Sequence, residues 1–229
     1  MIDDRPLAVA ILGCKYKLDD NRIIYMEESD YIHLEIQTSR SEDSESGDCY
    51  DYYNRYEYDV ILDHEDGTST LIGKGIVVLY LCGKALNEGA DLFDAFDENA
   101  HNDIYDAMFD YTTNDLKPDW QDIMMDSFNL NILVKDRLEI LPEYRHKGYG
   151  KKVRAILRSF FDGCYGVEVL KSFPLQLELF DNNKGWRAEQ QYDAMEKDAK
   201  KATRSLNRCY KNDGYKRYKR TQIFYRVPS

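Results

Sequence analysis

Chemistry in this chain concentrates in Leu138-Glu-Ile-Leu-Pro-Glu-Tyr-Arg-His-Lys-Gly-Tyr-Gly150, which runs directly into Lys-Lys-Val-Arg-Ala-Ile-Leu-Arg-Ser-Phe-Phe161. The pattern reads as a buried strand, a tight turn with two glycines, and an amphipathic helix. Val153, Ile156, Leu157, Phe160 and Phe161 recur at helical spacing and place one apolar stripe along that helix. Gly148 and Gly150 bracket the helix start, where four backbone N–H groups have no intrahelical partner. Such a terminus is a prepared anion site, because the amides point outward, the dipole is positive and glycine admits a phosphate close to the backbone. Arg145, His146, Lys147, Lys151 and Lys152 add positive charge around it. The same features occur in plain structural turns, so the spacing has to decide. It is neither the Walker pattern nor the dinucleotide pattern with its three spaced glycines.

Arg145-His146-Lys147-Gly148-Tyr149-Gly150 resembles Arg/Gln-x-x-Gly-x-Gly/Ala, the signature of the GNAT N-acetyltransferase superfamily. The preceding Leu-Glu-Ile-Leu-Pro-Glu-Tyr looks like that family's fourth strand, and Cys164 to Pro174 is similar to its fifth. Leu206 to Tyr215 looks like its helix-to-strand junction, in which a tyrosine precedes a Gly-aromatic pair by four residues, here Tyr210 and Gly214-Tyr215. The resemblance covers roughly residues 128–229 and does not extend over the first half. It implies a mixed α/β domain, with a mostly antiparallel central sheet flanked by helices and extra N-terminal or inserted elements. It also implies acetyl-coenzyme A as co-substrate. Contacts would come from Ile140 and Leu141 on the strand and from Arg145, His146, Lys147, Gly148, Tyr149, Gly150 and Lys151 on the loop. Tyr210 would then serve the departing thiolate, and Glu139 sits at a position often acidic in the family.

Acetyl transfer to an amine needs an activated thioester, a deprotonated amine, a donor for the oxyanion and a proton for the thiolate. A backbone N–H near Ile140 could polarise the carbonyl if the strand splays and bulges there. A phenol of pKa ~10 lies close enough to a thiol to share a proton, which suits Tyr210. Candidate bases are Asp136 and Glu139 on the fourth strand and Glu168 and Glu178 on or after the fifth. Strand parity sends Asp136 and Glu139 to opposite faces. No cysteine has a neighbouring histidine, which disfavours a covalent thiol mechanism.

Composition bounds the possibilities. The chain has 229 residues, 43% apolar and 32% charged, enough for one large domain, 1–229, with an acidic elaborated half at 1–127 and a cofactor-binding core at 128–229. No apolar run approaches the twenty residues of a membrane span, and the acidic N-terminus lacks a basic leader, so a cytoplasmic protein is expected. Five scattered cysteines, Cys14, Cys49, Cys82, Cys164 and Cys209, predict buried reduced thiols, and the histidine spacing offers no metal motif. The net charge of −11 is unevenly spread: residues 1–130 carry 30 acids and 9 bases, and the rest 22 bases and 12 acids. The acidic half disfavours broad nucleic-acid binding and would suit a cationic small-molecule or protein amine acceptor. A tRNA held by the basic helix 187–211 is a lesser alternative, a homodimer is open, and a GNAT-shaped acidic binding protein without acetyl transfer is the competing class.

The elements that would position these residues follow from periodicity. Leu7–Leu12 and Tyr31–Ile36 are apolar, and 39–48 is a polar acidic loop. Tyr56–Leu62 alternates, His64-Glu-Asp-Gly67 turns, and Leu71–Cys82 returns, giving a hairpin. Tyr50, Tyr52, Tyr53, Tyr56 and Tyr58 are expected to pack rather than to line a site. Within a helical segment 85–127, one amphipathic helix is expected over Asp91–Tyr111. A second follows over Asp119–Ser127, capped by Asp119 after Pro118. Residues 129–141 form the long strand. A last helix spans Trp186–Cys209 and stops at Gly214, and Tyr215–Val227 closes the sheet. Whether the early strands are additional to the family's core, or 85–127 is an insertion between its third and fourth strands, the sequence leaves open.

Overall fold

Alternating apolar residues and short turns generate one broad sheet. The computed structural model describes residues 32–38, 48–178 and 185–228, together with the backbone of two strands at 15–19 and 22–26. The strands are β1 (Lys15–Asp19), β2 (Arg22–Met26), β3 (Ile32–Thr38), β4 (Tyr53–Asp63), β5 (Ser69–Tyr80), β6 (Ile132–Ile140), β7 (Val167–Lys171), β8 (Lys216–Arg217) and β9 (Ile223–Arg226). They lie in the order β1-β2-β3-β4-β5-β6-β7-β9-β8. Every neighbouring pair is antiparallel except β6 and β7. The fold is therefore mixed α/β with a mostly antiparallel sheet. In β3, Ile32, Leu34 and Ile36 are buried in alternation, as the pattern predicted. Leu7–Leu12, Cys14 and most of the polar loop, 39–47, lie outside the described residues.

Helices cover both faces. Four short ones, α1 (Cys82–Glu88), α2 (Phe93–Glu98), α3 (Asn102–Met108) and α4 (Pro118–Met124), separate β5 from β6. They bury Phe96, Ile104, Met108 and Trp120 against Val78, Tyr80, Ile132 and Val134. On the opposite face α5 (Tyr149–Phe160) connects β6 to its parallel neighbour and buries Val153, Ile156 and Leu157 against Val60, Val77 and Leu133. After β7 come the single turn α6 (Trp186–Glu189) and the helix α7 (Ala199–Asn212). The tyrosine-rich stretch packs as expected: Tyr52 and Tyr58 are buried, and Tyr56 meets Phe161 edge-on at 5.0 Å.

Several expectations are corrected. The helix expected over 91–111 is two helices, broken at Ala100 in a left-handed conformation (φ 56°), with the Asn99 amide donating back to the Ala95 carbonyl at 3.0 Å. Tyr111, assigned to its apolar stripe, is exposed. Pro118 opens α4 as predicted, but Asp119 does not cap it; its carboxylate faces Lys219 and the Tyr218 hydroxyl instead. The helix expected over 186–209 is also interrupted, at Gln191 (φ 47°), and restarts where Asp198 accepts from the Lys200 and Lys201 amides. Of the four described cysteines only Cys82 is fully buried; Cys49 and Cys164 are half-buried and Cys209 is exposed, against the expectation of buried thiols.

The β6 strand carries the feature that shapes the site. Ile76 faces Arg137 while Val77 faces Lys135, so Asp136 is an extra residue bulged out of the ladder. The bulge reverses the parity that the sequence implied. Lys135, Leu138 and Ile140 face α5, whereas Asp136, Arg137 and Glu139 share the opposite face. On its other edge β6 pairs with β7 only over Ile132–Val134 and Val167–Val169, and continues to Ile140 paired with β5 alone.

Candidate functional site

Gly148 is the residue preceding α5 and adopts φ 89°, open to L-residues only with strain; His146 beside it is also left-handed, at φ 61°. The Gly148 carbonyl accepts from Lys151 and Lys152 at 3.0 and 3.2 Å, so the amides of the first turn before them project from the helix end. Nothing lies within 4 Å of where a Gly148 side chain would start. His146 and Lys147 are exposed, and Lys147 and Lys152 stand over the rings of Tyr144 and Tyr149 at 5.2 and 6.0 Å.

The gap between β6 and β7 opens directly before this loop. Leu141 donates to the Ile72 carbonyl at 2.9 Å, so its amide is already used. By the alternation of an antiparallel ladder, the amides of Ile140 and Leu138 then point away from β5, into the space that β7 vacates. Arg145, expected among the coenzyme contacts of the loop, is engaged within the chain instead. Its Nε donates to the Ile140 carbonyl at 2.8 Å, and its Nη2 donates to the backbone and side-chain oxygens of Gln190 at 2.8 and 2.7 Å. It ties the post-β7 segment to the end of β6.

Behind the loop, α5 and α7 enclose a set of charges of which the sequence singled out only Glu168, there as a candidate base. Lys135 Nζ is 2.7 Å from Glu168 and donates to the Arg154 carbonyl at 3.2 Å. Arg154 pairs with Asp213 at 2.6 Å, and Arg158 lies 3.5 Å from Asp213 and 4.0 Å from Glu168. Burial drives the Lys135 ammonium down to about 8, against the opposing pull of Glu168. Three cations thus face two carboxylates beside the first turns of α5. The only sequence signal for Arg154 is its position one turn after Gly150.

Arg154 also joins the two predicted halves of the site. Its Nη1 is 3.5 Å from the point where a Gly150 Cβ would stand, and its guanidinium lies 5.7 Å from the centre of the Tyr210 ring. Tyr210 is therefore brought to the loop from 60 residues away along α7. Its ring is packed against Tyr215 and Phe224 at 5.9 and 5.8 Å. Burial raises its hydroxyl to about 12, with Arg154 pulling the other way.

Glu139 is not brought to Tyr210. It lies on the other face of the sheet, buried, accepting from the Tyr192 hydroxyl and from Arg137 at 3.2 Å. Arg137 in turn reaches Glu178 at 2.6 Å, and Glu178 meets Arg187 at 2.9 Å. Among the described residues no group of three or more His, Cys, Asp or Glu side chains is placed to hold a metal, and no helix is long and apolar enough to cross a membrane. No protein-family model, no curated protein and no solved structure matches this chain.

Proposed function

We propose that this chain is an acetyl-coenzyme A-dependent N-acetyltransferase of the GNAT type, acting on a primary amine. The observation that carries the reading is the parallel, diverging pair β6 and β7, bulged at Asp136 and ending in a glycine-rich helix terminus. In that reading β6 and β7 correspond to the family's fourth and fifth strands. The helices α1–α4 then stand where the family has a tight hairpin, and the early strands complete the sheet.

The residues support a consistent division of work. Amides at the start of α5 hold the pyrophosphate, assisted by the net positive charge under the loop. The free edge of β6 at Leu138 and Ile140 offers backbone groups to the pantetheine arm. A neutral amine attacks the thioester carbonyl carbon. As the C–N bond forms and the C–S bond breaks, the nitrogen gives its surplus proton to solvent. The thiolate takes a hydrogen bond from Tyr210 and finally a proton from solvent. Glu139, fully engaged by Tyr192 and Arg137, holds the post-β7 segment in place.

Calorimetric titration with acetyl-coenzyme A tests the reading: binding is expected in the micromolar range typical of such co-substrates, and no binding at millimolar concentration by folded protein overturns it. An amine panel with thiol detection then separates an enzyme from a GNAT-shaped binding protein.

A further inference from the structure

At the bulge of β6 a buried tyrosine, a buried histidine and a partly exposed carboxylate are in line. The Tyr80 hydroxyl is 2.7 Å from His101 Nδ1, and His101 Nε2 is 3.2 Å from Asp136 Oδ1, an ion-pair distance without an aligned hydrogen bond. Tyr80 is wholly buried and stacked on Phe96 with ring centres 3.7 Å apart, and His101 is 5% exposed. The Asp136 side chain keeps 31% of its surface open to solvent. Burial keeps the Tyr80 hydroxyl protonated, so it can donate to Nδ1 and leave the imidazole proton on Nε2, facing Asp136. Burial works to raise the Asp136 carboxyl, but His101, Arg137 and Arg55 outweigh it and hold it below its ordinary range.

Among the neighbouring carboxylates this one alone has no Lys or Arg at ion-pair distance. Arg55 lies 3.6 Å from Glu57 and Lys74 lies 3.2 Å from Asp59. Arg137 bridges Glu139 and Glu178, and Arg187 also meets Glu178. Of the five carboxylates Glu57, Asp59, Asp136, Glu139 and Glu178, Asp136 alone is matched by an imidazole instead of a full cation. It is braced from behind by two buried side chains on a rigid strand and open in front. That combination suits a positively charged ligand group better than it suits proton abstraction, since a carboxylate held ionised is a weak base.

We propose that Asp136, oriented by His101 and Tyr80, binds the cationic group of a polyamine-like acceptor where β6 bulges beside the diverging β7. The subsite rests on the acetyl-transfer reading for its purpose. It lies on the sheet face opposite α5 and Tyr210, so acceptor and coenzyme approach the same strand from two sides. His101 is a positioning residue, held in turn by the Tyr80 hydroxyl.

Spermidine is the probe, titrated calorimetrically into the full chain with and without coenzyme A. Asp136→Asn is expected to weaken spermidine binding roughly tenfold or more, as loss of one partly desolvated ionic contact, while acetyl-coenzyme A affinity stays within about twofold. His101→Leu should weaken spermidine severalfold, and His101→Gln, which keeps an N–H donor, should restore it. Equal spermidine binding by wild type and Asp136→Asn, with melting temperatures matched, overturns the subsite. So does a lack of spermidine binding by protein that binds acetyl-coenzyme A. If acetyl-coenzyme A itself does not bind, the acetyl-transfer reading falls, and the coenzyme-free spermidine titrations decide the subsite alone.

Discussion

Burial acts in opposite senses on Tyr210 and Lys135, and each shift has a measurable consequence. The folded chain keeps the Tyr210 proton up to about 12, whereas an unfolded tyrosine releases it near ~10. The contribution of this group to stability is therefore complete below the unfolded value and lost as pH climbs through that window. A phenol so raised is a weaker acid than a thiol, so in the proposed reaction it would serve the departing sulfur mainly as a hydrogen-bond donor. Tyr210→Phe is expected to lower turnover roughly ten- to a hundredfold. Acetyl-coenzyme A binding should be unchanged, and the melting temperature nearly so, because the ring contacts with Tyr215 and Phe224 survive. Full activity in a destabilised variant would remove Tyr210 from the reaction. Lys135 behaves inversely: its folded value of about 8 lies below the unfolded ~10.4. Between those values the unfolded chain binds the extra proton, so stability from this group rises with pH there and is flat below. Lys135→Met removes the close partner of buried Glu168, leaving only Arg158 at 4.0 Å, and should cost about 3 kcal/mol in chemical denaturation. Adding Glu168→Gln should recover much of that loss.

The strand–loop–helix unit β6–α5 gives predictions of a different kind, because backbone conformation is what it contributes. At Gly148 the φ of 89° penalises any side chain, yet the space around it is open. Gly148→Ala should thus cost about 1 kcal/mol of stability from strain alone while lowering acetyl-coenzyme A affinity by more than ~tenfold, because its methyl intrudes where the phosphates approach. Unchanged affinity in a folded Gly148→Ala would detach the loop from the ligand. Arg145→Ala should show the reverse balance. Its three hydrogen bonds to Ile140 and Gln190 are internal, so about 2 kcal/mol of stability is lost with only a minor effect on the coenzyme. Thermal melts and titrations on the same two variants expose the contrast.

The charge of the molecule as a whole is divided along the chain, and the division predicts how association responds to salt. The acidic first half supplies α1–α4, which pack on the sheet face that carries Asp136, while the basic second half supplies β6 itself, the loop, α5 and α7. Coenzyme and cationic acceptor should both bind more weakly as ionic strength rises, since each is drawn to a half of opposite sign. Acetyl-coenzyme A at about a hundredfold excess over its Kd should stabilise the fold by about 2.7 kcal/mol. For a domain of this size that is a rise of several degrees in melting temperature. No shift would argue that the ligand does not engage the native state.

Much of this arrangement is legible without coordinates because its causes are local. Alternation in Ile32–Thr38 and Tyr53–Asp63, the turn at Gly67, the stripe on Tyr149–Phe160 and the stop at Gly214 each depend on a few neighbouring residues. The glycine turn after a buried strand is of the same kind, and its likeness to an acetyltransferase signature needs no tertiary information. Helix breaks at Ala100 and Gln191 were not legible, because apolar spacing continues across a left-handed residue that only packing selects. The assignment of Asp136 and Glu139 to opposite faces failed for a related reason: one bulged residue, set by the pairing of β6 with β5, resets the parity of everything after it. Tertiary structure also decided which charges meet. Arg154 finds Asp213 and Tyr210, and Asp136 finds His101, across long stretches of chain that local pattern cannot connect. Sequence determines where chain direction and burial change, since those are short-range free energies. Which polar groups then face one another depends on how the sheet closes and where it is forced to bulge.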